Sequence, residues 1–330
     1  MVNVGEQVAA VYAQFADRQA RGSSPSLESW ARTVVEDPEV RIRLAELPEG
    51  KRQPNLVFAC LRWHGARPGD ADSLRDGVLG HWDRLRTTIL KRSTQTNEPA
   101  RCAVLLPLMH QISGPIALIE IGAAAGLCLI PDHYSYRYSD STIVHPPTGP
   151  SPVVIGCQVT AGTLPPQLAT PDIVWRAGLD LNPLNASDPD TAAWLTTLIW
   201  PEHDERRTRL LAALDAAANV SIRIDRADLR NGLAALLAEV PSGVTAVIQH
   251  SATLAYLSAE DRRRTSAIIA DSGARWISFE SRDVIALTAA IPESSGPRDL
   301  FVAALDRTPQ ATASGHGDTM AVLDVPKPTT

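Results

Sequence analysis

The sequence is short of the features that place a protein quickly. Its four cysteines (Cys60, Cys102, Cys128 and Cys157) are scattered through 330 residues, with no CxxC pair and no histidine at zinc-ligand spacing. A disulfide framework and a structural zinc site are therefore not expected, no metal is expected, and a reducing, cytoplasmic setting fits best. No basic stretch followed by an apolar segment opens the chain, and no apolar run reaches the ~18 residues of a membrane helix. Positive charge is not in excess either: the net charge of −6 argues against a general nucleic-acid surface. Aromatic residues make up only 5%.

What is present is the balance of a folded enzyme-sized protein, 44% apolar and 21% charged. From Gly5 to about Ile112 the pattern is helical. Val8, Val11, Tyr12 and Phe15 form one stripe of an amphipathic helix. Ser24 and Pro25 supply a cap and a first-turn proline for the next. Further helices are expected at Asn55–Trp63, at Leu79–Leu90 and from Thr96-Asn97-Glu98-Pro99 onward, the last capped by Asn97 and kinked or ended by Pro107.

At Ser113-Gly114-Pro115 the grammar changes. Ala117–Gly122 is a buried strand, and the following AAAGLCLI reads as a helix. Residues 131–171, rich in Tyr, Ser, Pro and Gly, read as an insertion with short strands. Strands then recur at IVWRAGLD (to Asp180), SIRID, TAVIQHS (to about His250) and ARWISFE (to Glu280). Helices stand between them over Trp194–Ala218, near Gly232–Glu239 and over Glu260–Asp271, and FVAALD with MAVLD reads as a closing hairpin. The expected architecture is α/β: a helical domain over 1–112, then a doubly wound, mostly parallel sheet over 113–330.

The strongest chemical signal is Ile119-Glu120-Ile121-Gly122-Ala123-Ala124-Ala125-Gly126. Small residues after a strand let a ligand approach closely, and Glu120 can meet a hydroxyl or a charged group; tight strand–helix packing would need the same small residues. Asp180 and Asp228 fall at later strand ends, where ligands of open α/β sheets bind. His250 is either a general base at its strand end or a histidine held in the core. Glu98 and Arg101 share a helical face with Asn97, so Arg101 can grip an anion or simply pair with Glu98. Tyr134, Tyr136 and Tyr138 alternate around Arg137, as a substrate wall or as a half-buried strand.

The glycine turn resembles the nucleotide-binding turn of class I S-adenosylmethionine-dependent methyltransferases, with Ala124 where that pattern has its middle glycine. The resemblance makes Glu120, Gly122, Gly126, Asp180 and Asp228 the cofactor contacts. Over nearly the whole chain, strings such as QPNLVFA (Gln53–Ala59), QTNEPARCAVLLP (Gln95–Pro107), IEIGAAAGLCLIPDHYSYRY (Ile119–Tyr138) and WRAGLDLNPLNASDPD (Trp175–Asp190) resemble a largely actinobacterial family known as a domain of unknown function (DUF2332). That resemblance implies a helical region followed by a Rossmann-like, methyltransferase-type domain. Three functions follow as expectations. One is a methyltransferase acting on a small molecule in secondary metabolism. Another is a cofactor-free enzyme of the same fold that closes a ring by displacement, such as an aziridine with loss of sulfate. In that version Arg101, Arg137 or Arg176 holds the anion and Glu98, Asp180 or His250 takes the proton. The last is a silent fold that stabilises a partner or a carrier protein.

Overall fold

Ser24 does cap the second helix: its hydroxyl accepts the Leu27 amide, with Pro25 in the first turn. The computed structural model describes residues 4–95, 97–291 and 300–324, so Thr96 lies outside the described residues. Six helices make the N-terminal region: α1 (Val4–Phe15), α2 (Pro25–Glu36), α3 (Pro38–Ala45), α4 (Pro54–Trp63), α5 (Ala71–Arg75) and α6 (Trp82–Lys91), with π turns at Ala16–Ala20 and Asp76–Gly80. Val8, Tyr12 and Phe15 of α1 bury against Trp30, Phe58 and their neighbours. The chain falls into two compact units, Met1–Thr96 with Pro189–Thr208, and Asn97–Asp188 with Arg209–Thr330. Against the expected division at residue 112, α7 (Arg101–Met109) goes with the second unit, and a later segment returns to the first.

Among the described residues the second unit holds eleven strands in one mixed sheet: β1 (Ile116–Ile121), β2 (Ser135–Tyr138), β3 (Ile143–Val144), β4 (Val154–Ala161), β5 (Ile173–Asp180), β6 (Arg223–Arg226), β7 (Thr245–Ser251), β8 (Arg275–Ser281), β9 (Phe301–Leu305), β10 (Thr308–Ala313) and β11 (Thr319–Val322). Their order is β3-β2-β4-β11-β10-β9-β8-β7-β1-β5-β6. β6, β5, β1, β7 and β8 run parallel; β9, β10 and β11 continue as an antiparallel meander. Order reverses at β1, since the chain moves outward through β5 and β6 and then returns to β7 on the other side. β4 joins the short strands of 131–171 to the far edge, pairing with β2 through its first half and β11 through its second.

α8 (Pro189–Leu198) and α9 (Asp204–Ala218) replace the single helix expected over Trp194–Ala218, because Pro201 cannot continue one. α10 (Leu229–Ala238) and α11 (Ala259–Asp271) cover one sheet face, where Leu229, Leu233, Leu236 and Ile269 pack on Ile119, Ile121, Ile248 and Trp276. Three further expectations are corrected. AAAGLCLI is not an α-helix but a turn followed by a 3-10 turn, Leu127–Leu129. Asn97 does not cap α7, which begins at Arg101 and carries Pro107 inside it. FVAALD and MAVLD are not paired with each other, because β10 lies between them.

Candidate functional site

In β1, side chains alternate between faces, so Ile119 and Ile121 enter the core under α10 and α11 while Glu120 points to the opposite face. Glu120 stands opposite Gly178 of β5 and Gln249 of β7, at the point where strand order reverses. It is 5% exposed, and its Oε2 is buried without a hydrogen-bond partner among the described residues. Burial, reinforced by the neighbouring Cys128 thiol, raises its carboxyl well above the usual range; Arg101 pulls the other way without prevailing. Gln249 donates Nε2–H to the Cys128 carbonyl (2.7 Å), and its Oε1 is likewise buried and unpartnered. The Asn97 Nδ2 is a third such atom.

Arg101 is 6% exposed, in the first turn of α7. Its Nε donates to the Gly315 carbonyl (2.9 Å), and its Nη1 to the carbonyl (3.1 Å) and hydroxyl (3.3 Å) of Ser251. The Ser314–Gly317 loop can lie this close because Gly317 has a left-handed φ of 83° and a Cβ there would stand 2.6 Å from the Ala100 carbonyl. Nη2 takes no hydrogen bond among the described residues. Glu98 is paired not with Arg101 but with Arg209, whose Nε and Nη2 lie 3.2 and 3.1 Å from its Oε1.

The glycine turn is closed by protein groups. Asp180 accepts the Ala124 amide (2.8 Å) through one oxygen and the Asn182 amide (2.7 Å) through the other. Asn97 accepts the Ala125 amide (2.8 Å). Gly122 and Gly126 both have φ of 74°; side chains there would collide with Thr253 and crowd Ile222 and Ile224. Ala124, at 48°, holds the same left-handed region without being glycine. An uncharged groove of about 430 Å³ lies beside the turn, lined by Ala125, Leu184, Asn185, Ser187, Ile222 and Ile224 among others.

The remaining candidates lie elsewhere. His250 is wholly buried on the α10–α11 face. Its Nε2 accepts the Trp276 indole N–H (2.9 Å), which leaves the proton on Nδ1, donated to Glu280 (2.8 Å). Asp228 caps α10 and pairs with Arg230, which pushes its carboxyl down to about 2. Tyr134 is buried with its hydroxyl on the Leu127 carbonyl. Arg176 grips Asp132 with two bonds of 2.8 Å and the Leu129 carbonyl, fixing the 3-10 turns onto β5. Arg137 is exposed on β2. Gln249 and Ser251 were the residues missed; a glutamine inside the apolar run TAVIQHS was the available signal.

Among the described residues no group of three or more histidine, cysteine or acidic side chains is placed to hold a metal, and no helix is long and apolar enough to cross a membrane. No curated protein matches the chain. A family model does, over residues 9–321, and the chain therefore belongs to DUF2332, the family described as uncharacterized protein conserved in bacteria.

Proposed function

We propose that the chain is a small-molecule enzyme that moves a proton at Glu120 and holds an anionic group at Arg101, acting by intramolecular displacement without S-adenosylmethionine. The observation that carries this reading is the Glu120 carboxyl, buried, unpartnered at Oε2 and raised well above its usual range. A carboxyl raised in this way binds a proton more tightly than an ordinary one, the direction in which a general base is tuned. The order third, second, first, fourth, fifth among the parallel strands is that of Rossmann-like doubly wound sheets, which take ligands where the order reverses. Glu120 and Gln249 stand at that point.

In the proposed step a substrate amine forms a C–N bond as the C–O bond to a sulfate on the same molecule breaks. The bonding pair leaves on the sulfate oxygen and the amine proton passes to Glu120. Arg101 Nη2 supplies the charge-assisted donor for the departing anion.

Methyl transfer from S-adenosylmethionine is the second reading. The uncharged groove beside Ala125, large enough for a nucleoside, favours it. The acids that would hold the nucleoside weigh against it: both Asp180 oxygens accept backbone amides, and Asp228 caps a helix and pairs with an arginine.

Calorimetric titration of S-adenosylmethionine separates the two, run beside a sulfate-release assay on a panel of amino sulfate esters. We expect no saturable cofactor binding, and sulfate release that is lost in Glu120→Gln and Arg101→Met. Micromolar cofactor affinity, weakened by Ser187→Trp in the groove and accompanied by methyl transfer, would overturn the proposal.

A further inference from the structure

The sheet face opposite Glu120 carries a second feature that the proposed chemistry does not use. Beside α11 runs a groove of about 640 Å³, bounded by that helix, by the loop after β8 and by the β9–β10 turn. Among the described residues, Arg262, Arg263, Arg282 and Arg307 line it, against a single acid, Asp283. In a chain of net charge −6 this is a local reversal of sign.

The arginines are not there to serve the helix. Asp261 of α11 is held by Arg230, whereas the guanidinium groups of Arg262 and Arg263 make no hydrogen bond or ion pair among the described residues. Ala259, Ser266, Ala267 and Ala270 keep the helix wall low between them. Arg307 is placed from the other side. Asp306 and Arg307 form the β9–β10 turn with φ of 49° and 66°, both left-handed, where the second residue of such a turn is ordinarily glycine. Its Nε donates to the Ala286 carbonyl (2.7 Å), so the guanidinium lies along the groove. An arginine is thus kept at a position whose backbone favours a residue without a side chain.

We propose that this groove is a binding site for a phosphate-bearing small molecule with an apolar or aromatic body. Guanidinium forks match phosphate oxygens with paired donors, and the groove's apolar lining, the alanines of α11 with Ala286 and the edges of Val284 and Ile285, leaves room for the body of the ligand. The volume is that of a small-ligand pocket rather than an extended docking surface.

Calorimetry on the full chain with ADP, inorganic pyrophosphate and an oligoglutamate peptide tests this. We expect one-site binding of ADP that weakens with salt. It falls about tenfold in Arg307→Gly and in the double variant Arg262→Ser, Arg263→Ser. Arg307→Gly suits the left-handed turn, so its melting temperature holds or rises and the loss cannot be ascribed to unfolding. No saturable binding of ADP or pyrophosphate at millimolar concentration would overturn the assignment. So would preference for oligoglutamate, or ADP binding indifferent to both variants, the result expected of a nucleotide seated at the Gly122–Gly126 turn instead.

Discussion

A carboxyl buried without a partner is a cost the fold carries at one residue, and its sign with pH is fixed. Glu120 holds its proton in the folded chain well above the ordinary value of 4.5, so from about that pH upward the folded state binds more protons than the unfolded one. The stability this group contributes is fully present below pH 4.5 and is lost as pH rises through the raised folded value. Glu120→Gln keeps the shape and removes the charge. The variant should be more stable than the native chain by about 1–2 kcal/mol at pH 8, with the difference closing towards pH 4. Urea unfolding at a series of pH values reads this directly, and parallel pH profiles for the two proteins would refute it. Ala124 offers a second test at this scale. A left-handed φ costs an L-residue ~1–2 kcal/mol, against ~0.5–1 kcal/mol of backbone entropy for glycine, so Ala124→Gly should stabilise by about 0.5–1 kcal/mol. A loss of stability would mean that the alanine methyl makes packing contacts worth more than the strain.

Elements, more than residues, decide what His250 does. The last residues of β7 and β8 share one buried network: Glu280 Oε1 accepts His250 Nδ1–H and the amides of Thr253 and Leu254, so a strand-end side chain shapes the loop that also presents Ser251 to Arg101. Burial raises the Glu280 carboxyl, but these donors outweigh it and hold it below its usual range. Stability from Glu280 is therefore present above pH 4.5 and lost as pH falls through the lowered value. His250→Phe removes a donor to Glu280 and the acceptor of Trp276. It should cost about 3–5 kcal/mol and move acid unfolding to higher pH, as circular dichroism would show; a variant of native stability would refute the network. In the sequence, His250 and Gln249 are equally plain, yet only strand register tells which one faces Glu120, and register is a property of pairing. The same limit applies to Arg101, whose partner Gly315 is 214 residues away. Strands β5, β7 and β8 were readable from apolar runs, and α2 from its cap. The helix expected after Gly122 fails for a reason the sequence did contain: Pro131 bars its predecessor from helical geometry, and Arg176 ties the resulting turns down. β10, Thr-Pro-Gln-Ala-Thr-Ala, has too little apolar alternation to announce a strand.

The whole chain is built from a discontinuous helical unit and a sheet unit. Residues 189–208 return to the first unit and place Trp194 in its core, 2% exposed, with its indole N–H on the Ser93 carbonyl (3.1 Å). Arg92 closes the arrangement. Its guanidinium lies 4.9 Å from the Trp63 ring and 5.1 Å from that of Trp194, and it pairs with Asp190 at 2.8 and 2.7 Å. A fragment ending at residue 112 lacks this segment and leaves Trp63 facing a hole the size of an indole. Deleting a buried tryptophan side chain costs about 3–5 kcal/mol, a large part of the stability of a unit this small. We therefore expect residues 1–112 alone to unfold without a cooperative transition. The same helices with 189–208 joined through a flexible linker should unfold cooperatively, and Trp194→Ala in that fusion should abolish the transition. Calorimetry on the three proteins decides it: a sharp transition in the 1–112 fragment would mean that the N-terminal helices complete a core by themselves and that 189–208 only decorates it.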